Sequence, residues 1–427
     1  MTAEKGYSAL PSRPQPVSSS VPHRLGLLEL RLQIPDRLFK QNTLLGASFL
    51  LRDLVLVVIF AYTVYRVDLA IDAFNISPTV AVLSRAVAWL SYWWFQGLVF
   101  TGIWIIGHEV LFFFTPDSMD ANGVFVNSQC GHGSFVRSRL LSEAIGFICH
   151  TVLCTPYFSW KFTHQLHHRH HASMEKDQHW VPRSRSSIKS SSLEDAPAVS
   201  LLRLIVQQLL GFPAYLLLNA SGQPGSDPLT SHLNPYASSL YKPSQRKHVM
   251  ISDVALVCMA YALYLCGSRL GFWIIFRYYG IPYILVNHWV TMIVFLQHTD
   301  PQLPHFRKNA WTFYVGALST MDYDFLGWQG RFFLHNIAHF HTIHHLFPAI
   351  PFYHAAEATE ILKRLLPDNY RATSKPVFKC LWENFNKCQF VDDEGDILYY
   401  RDKRGQCHVS VEDILKDIPA SAGRRDT

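Results

Sequence analysis

The chain has 427 residues, of which 49% are apolar and only 16% charged, a balance that argues against a set of water-soluble domains and for a membrane protein. Its formal charge of +6 is spread along the chain, which suits attraction to anionic lipid headgroups; no basic, aromatic-interleaved patch marks a nucleic-acid binder. Eight cysteines form no CxxC pair, and the first residues lack a basic flank, apolar run and cleavage site. Neither a disulfide framework nor secretion is expected, and the thiols are expected to be buried and reduced. The 22 histidines are about twice the ordinary usage and fall mostly into tight groups, which needs a chemical cause.

In chain order, residues 1–23 are rich in Ser and Pro without apolar periodicity, and 420–427 are short and polar; both tails are expected to be disordered, leaving one domain over 24–419. Leu44 to Tyr65 is long enough to span a bilayer, with Arg52 and Asp53 expected near the interface because neighbouring helical residues do not face each other. Ala86 to Gly107 gives the clearest span, 22 residues without a charge. Ala144 to Trp160 and Leu204 to Ala220 are marginal in length, contain Pro156 and Pro213, and read as interfacial or re-entrant. Val254 to Ser268 and Tyr278 to Gln297 form a second pair of spans. The fold expected is an all-α integral membrane protein, with about four transmembrane helices in two hairpins plus interfacial helices. If each hairpin goes out and returns, His108 to Lys247 and everything after His298 share one face, and the basic segment around Arg183, Arg185 and Lys189 makes that face cytosolic. Arg183 to Ser192 reads as a surface loop, and no fixed-period repeat is present.

His164, His167 and His168 lie in the run HQLHH, and His341, His344 and His345 repeat the HxxHH pattern in HTIHH. Positions i, i+3 and i+4 project from one face of a helix, so each run can aim three imidazoles at a common point. Imidazole suits iron, copper and zinc. Six histidines exceed the usual three-ligand catalytic or four-ligand structural zinc site, so a binuclear centre fits better. Soluble di-iron proteins use Glu and ExxH ligands, which neither run contains, so a di-iron site here must be the histidine-rich kind.

Around these runs the chain resembles the membrane fatty acid desaturases, in particular the oleate (delta-12) and omega-3 branch with its fungal members. The resemblance rests on LLELRLQIPDRLF (Leu27 to Phe39), TPYFSWKFTHQLHH (Thr155 to His168), LVNHWVTMIVFLQHTDPQLPHF (Leu285 to Phe306) and HNIAHFHTIHHLFPAIPFYHAAEAT (His335 to Thr359). It implies a histidine-rich di-iron cap on the cytosolic face. The family's first box, HECGH, is split here: WIIGHE ends at Glu109 and CGH resumes at Cys130 to His132, with the 20 residues Val110 to Gln129 between. Deleting them restores the box. Because GTN encodes Val and CAG encodes Gln, the segment suits an intron retained in frame; the alternative is a loop that returns His132 to His108.

The resemblance implies as metal ligands His108 and His132 of the split box, the six histidines of the two HxxHH runs, and a ninth between them. His298 in LQHTD is the candidate, with His335 second. Asp177, Asp322 and Asp324 could accept hydrogen bonds from ligand imidazoles. His170, His171, His179 and His339 are left without a role. The residues Ala338, His339 and Phe340 depart from the small or acidic residues usual before the third box, which bears on regiochemistry. The implied reaction is O2-dependent insertion of a cis double bond into a fatty acyl lipid, oleate to linoleate, in the endoplasmic reticulum membrane. Electrons would come from cytochrome b5 and NADH-cytochrome b5 reductase, separate proteins, since no heme-binding HPGG occurs. The acyl slot is expected between the spans, lined by residues such as Trp93, Trp94 and Trp289 unless these face the membrane. A hydroxylase, acetylenase or conjugase would use the same boxes. Readings of another class are a zinc-dependent membrane hydrolase or receptor, or a metal-binding membrane protein left inactive by the split box.

Overall fold

Asn42 starts the first long helix by accepting a hydrogen bond from Leu45 N–H at 3.1 Å on its side-chain oxygen. In the computed structural model, residues 26–74, 76–109, 138–188, 196–224, 227 and 229–410 are described. The two tails, Val110 to Gln129, His132 and the end of the Ser-rich loop lie outside the described residues. The helices are α1 (Leu27–Gln33), α2 (Thr43–Ala73), α3 (Pro78–Glu109), α4 (Arg139–Thr151), α5 (Tyr157–His170), α6 (Pro197–Leu218), α7 (Arg246–Leu270) and α8 (Phe272–Ile275). They continue as α9 (Ile281–His298), α10 (Phe313–Leu318), α11 (Trp328–Phe333), α12 (His341–Leu346), α13 (Phe352–Leu365) and α14 (Val377–Lys387). Strand pairs are short: β1 (His305–Phe306) is antiparallel to β4 (Ile397–Leu398), and β2 (Asp322–Tyr323) is parallel to β3 (Ala372–Thr373).

Among the described residues four stretches are long and apolar enough to cross a membrane: Thr43–Ala73, Pro197–Leu218, Pro243–Leu270 and Phe272–His298. Helix α3, at 32 residues, is as long as any of them but falls outside this set. From Gln96 to Glu109 every residue of α3 is buried, so it forms the inside of the bundle while α2 and α7 expose Leu51, Val58, Val254 and Val257 outward. α2 and α3 make one hairpin, closed far from the boxes by Arg85, which pairs with Asp68 at 2.7 Å and with Asp72. α7 and the run α8 to α9 make the other, broken at Gly271 (φ 99°), with a π-helical segment at Phe276–Gly280 between α8 and α9. The hairpins meet there: Tyr92 OH donates to Tyr278 O at 2.8 Å and Trp93 Nε1 to Arg277 O at 3.0 Å.

Helix α6 meets the length criterion, yet both of its ends sit on the box side. Ser200 Oγ accepts from Lys403 Nζ at 3.4 Å near its start, and just past its end Ser221 Oγ donates to His179 O at 2.8 Å. The next helix, α7, begins on that side too, with Phe158 N–H donating to Ser252 Oγ at 2.9 Å. α6 packs alongside α9 and is long and apolar enough to cross a membrane, where an interfacial or re-entrant stretch is expected from the sequence; Leu202, Ile205, Leu209 and Leu210 are exposed outward. Close approach to α9 occurs at Gly211, where a Cβ would stand 2.8 Å from Thr291 Cγ2. The other marginal stretch, Ala144 to Trp160, is broken at Pro156 into α4 and α5, each too short to span. Arg52 and Asp53, expected not to face each other, are joined: Asp53 is fully buried, and Arg52 folds back to bond it at 2.7 Å. Of the seven described cysteines all are free, but only Cys149 and Cys380 are buried, and Cys258 and Cys266 are exposed on α7.

Candidate metal centre

Helix α5 carries His164, His167 and His168 on its buried side, and α12 carries His341, His344 and His345. α12 is only six residues long, and Asp322 fixes its start by accepting from His341 N–H at 2.8 Å, Thr342 N–H at 2.9 Å and Thr342 Oγ1 at 3.0 Å. Asp322 is itself held by β2–β3 pairing and by Tyr370 OH, which donates to it at 2.6 Å. Burial pushes its carboxyl up to about 6, against the pull of these donors. His108 ends α3 and His298 ends α9, so four helix ends converge on one buried space.

Two groups result. In the first, His108 Nε2 is 2.8 Å from His164 Nε2, His168 Nε2 is 3.1 Å from His164 Nε2, and His344 completes the set. In the second, His298 Nε2 is 3.3 Å from both His167 Nε2 and His341 Nε2, and His345 Nε2 is 3.1 Å from His341 Nε2; His171 joins His167 and His298. The groups touch through the stacked rings of His168 and His345, 4.2 Å apart. Ligands about 2.0–2.1 Å from a tetrahedral metal stand about 3.3 Å apart, so the converging nitrogens have the spacing that a bound cation imposes. Burial, and secondarily the neighbouring imidazoles, push His164, His168, His341 and His345 well below the ordinary histidine range. His344 is pushed down to about 3 by burial, against the pull of Glu109. Neutral rings keep a lone pair free for a metal.

The outward nitrogens are oriented by carboxylates. Asp177 Oδ1 is 2.9 Å from His167 Nδ1, while Glu109 Oε1 is 3.3 Å from His108 Nδ1 and 3.7 Å from His344 Nδ1. Asp177 stays well below the usual carboxylate range: burial opposes this, but His167 and His171 outweigh it. Of the other acidic candidates, Asp322 holds backbone and not imidazole, and Asp324 contacts His339, which is in neither group.

Thus His108, His164, His167, His168, His298, His341, His344 and His345 are brought together, and His132 lies outside the described residues. His335 is not brought in; its Nε2 bonds Asp53 Oδ2 at 2.8 Å. His170 and His179 also belong to neither group. His171 was missed, although it continues the face of His164, His167 and His168 at i+7, i+4 and i+3; its Nε2 lies 2.9 Å from Ser319 O, the distance of a hydrogen bond donated by the ring. Glu109 was missed as a positioning residue because it was read only as a letter of the split box.

Residues 122–376 match the family described as fatty acid desaturase. A "Delta(12) fatty acid desaturase" of Mortierella isabellina is 37% identical over 390 residues, covering 87% of this chain and 90% of its own. A "Delta(12)-oleate desaturase" of Trichosanthes kirilowii is 36% identical, covering 91% and 99%, and an "Oleate hydroxylase FAH12" of Claviceps purpurea is 32% identical, covering 90% and 82%. The chain belongs to the fatty acid desaturase family. As a member of this metal-dependent family it is an oxidoreductase of the membrane, and its histidine groups can bind metal. The desaturase fold leaves a cavity of about 1370 Å³ between α6 and α9, and a smaller one of about 30 Å³ against the histidines. Trp93, Trp94 and Trp289, expected along an acyl slot, line neither; Trp94 packs edge-on against Trp289 at 5.2 Å and bonds Gln329 Oε1 at 2.8 Å.

Proposed function

We propose that the chain is an O2-dependent acyl-lipid desaturase that converts oleate to linoleate at a di-iron centre. What carries this reading is the pair of buried imidazole groups, built from two HxxHH runs and His298, in a chain similar over most of its length to delta-12 desaturases. One iron would be held by His108, His164, His168 and His344, the other by His167, His298, His341 and His345 with His171 beside them. Irons bound there would supply, from O2, the oxidant that an unactivated methylene requires. The chain's own residues do the rest. Asp177 and Glu109 fix ring orientation, Asp322 fixes the start of α12, and the apolar walls keep water away. Electrons would come from cytochrome b5 and its NADH reductase at a basic face. Localisation in the endoplasmic reticulum with the boxes facing the cytosol is supported by the positive-inside reading and by a relative named "Omega-6 fatty acid desaturase, endoplasmic reticulum isozyme 2". The intron reading stands beside this: 24–419 is one desaturase domain, and Val110 to Gln129 separates His132 from its place beside His108.

Hydroxylation is the second reading, favoured by the hydroxylase names among the relatives, from Ricinus communis and Claviceps purpurea. The test is expression in a yeast lacking polyunsaturated lipids, with the chain as it stands and with 110–129 removed, followed by gas chromatography of fatty acids. Linoleate from the shortened chain alone supports both the desaturase and the intron readings. Linoleate from both makes the segment a tolerated loop, a hydroxy acid replaces desaturation with hydroxylation, and no product from well-expressed protein overturns the reaction assigned.

A further inference from the structure

Trp311 is half-buried in the turn that leads into α10, and its indole Nε1–H donates to His171 O at 2.9 Å. The approach depends on glycine at position 316 of α10: a Cβ there would stand 2.3 Å from His171 O and 3.0 Å from Trp311 Nε1. From that carbonyl the connection to the His171 ring is covalent. The ring bonds Ser319 O through Nε2 at 2.9 Å, and its centre lies 4.3 Å from His298, 4.6 Å from His345 and 4.9 Å from His167. A single hydrogen bond and a single residue thus join a ring at the surface to the second imidazole group, and His171 is anchored at both ends of that connection.

The ground around the indole is basic. Met174 N–H donates to Phe306 O at 3.0 Å, which holds the loop carrying Lys176 beside the turn carrying Trp311. Lys176 Nζ lies 6.0 Å from the Trp311 ring centroid, and Lys308 stands three residues before Trp311. Both lysines are exposed, and among the described residues neither pairs with a carboxylate. The nearby carboxylates are engaged: Glu175 pairs with Arg307 at 3.6 Å, and Asp396 Oδ1 accepts from Asn309 Nδ2 at 3.4 Å.

We propose that Trp311 is the port through which electrons enter the metal centre, and that Lys176 and Lys308 beside it receive the acidic face of a one-electron heme carrier. This rests on the desaturase reading for the need of electrons. Transfer between proteins falls steeply with distance, and bonds carry an electron better than gaps do, so a bonded route from the surface is the favoured entry to a buried centre. In each transfer the carrier's ferrous heme becomes ferric and a ferric ion held by the second group becomes ferrous; one electron moves and no bond forms or breaks. None of these residues belongs to the split box, so the full chain contains the whole route.

The test uses the full chain in lipid nanodiscs and the soluble heme domain of cytochrome b5. Binding is measured on the metal-free chain, and transfer on the ferric-loaded chain as oxidation of the ferrous heme in a stopped flow. Binding should weaken with added salt, and the exposed double variant Lys176→Glu with Lys308→Glu should raise the Kd at least five-fold. Trp311→Phe should leave Kd and iron content unchanged but slow heme oxidation at least ten-fold. Dithionite, a small reductant that needs no docking surface, should reduce the iron of both proteins at the same rate. That comparison separates a port from a ring that only holds His171 in place, whose loss would change iron content and dithionite reduction as well. Binding indifferent to the charge reversals would overturn the docking surface. Heme oxidation as fast in Trp311→Phe as in wild type, or slowed only in step with lost iron, would overturn the port, and so would a full chain that holds no iron at the second group, where the route would end at no acceptor. The desaturase reading fails separately: hydroxylated or unaltered lipid from the chain lacking 110–129, with the Trp311 dependence intact in the full chain, sinks desaturation alone.

Discussion

His335 Nε2 lies 2.8 Å from Asp53 Oδ2, joining α2 to the turn ahead of α12 across 282 residues of sequence. Both side chains are buried, and Arg52 bonds the same carboxylate at 2.7 Å. The turn needs such a clamp because His335 and Asn336 have φ of 51° and 63°, a left-handed conformation that costs on the order of 1 kcal/mol or more each outside glycine. Removing one partner leaves a buried group unpaired. Asp53→Ala is expected to lower stability by about 3 kcal/mol and Asp53→Asn by less, read as the unfolding midpoint in detergent; an unchanged midpoint for both would make the contact incidental.

Gly107 precedes His108, and a Cβ there would sit 2.4 Å from His150 Cδ2. Neither ring has room to move, since His150 also stacks on Trp104 at 5.2 Å. Gly107→Ala should push α3 and α4 apart, cost about 1–3 kcal/mol and displace His108. Metal per chain and the melting temperature should fall together; wild-type values for both would show that the close approach is not needed.

The two histidine groups predict separable metals. His298 stands in both triads of the second group, so His298→Ala should leave about one metal per chain, from the first group, whereas His164→Ala should leave the second group loaded. His171→Ala should weaken metal retention against a chelator by roughly 10–100-fold, as for residues that support ligands. Iron measured after graded chelation decides this, and a His171→Ala protein that holds both metals as wild type does would remove His171 from the centre.

The depressed histidines make the metal-free protein acid-labile. In an unfolded chain an imidazole takes a proton near pH 6.5, about its model value. His344 resists until about 3, and His164, His168, His341 and His345 resist well below the ordinary range. As pH falls through about 6.5 the unfolded state binds more protons than the folded one, so stability declines and the loss steepens with each group. Thermal unfolding of metal-free protein in detergent from about pH 8 to about pH 5 should show a falling midpoint; a flat profile would mean the rings are not held neutral.

The sequence by itself determined the membrane class, the two hairpins and the two imidazole triads, while the candidacy of His298 came from the family resemblance. These are local facts: apolar length fixes a span, and i, i+3, i+4 spacing fixes a helix face. Tertiary structure alone decided how the imidazoles divide, since His164 and His168 turn to His108 and His344 while His167, between them in sequence, turns to His298 and His171. It also drew in His171, gave His335 to Asp53, packed α6 alongside α9 and placed the cleft beside it. Each of these depends on which distant helix end arrives opposite a given face, and no periodicity within one segment encodes that partner.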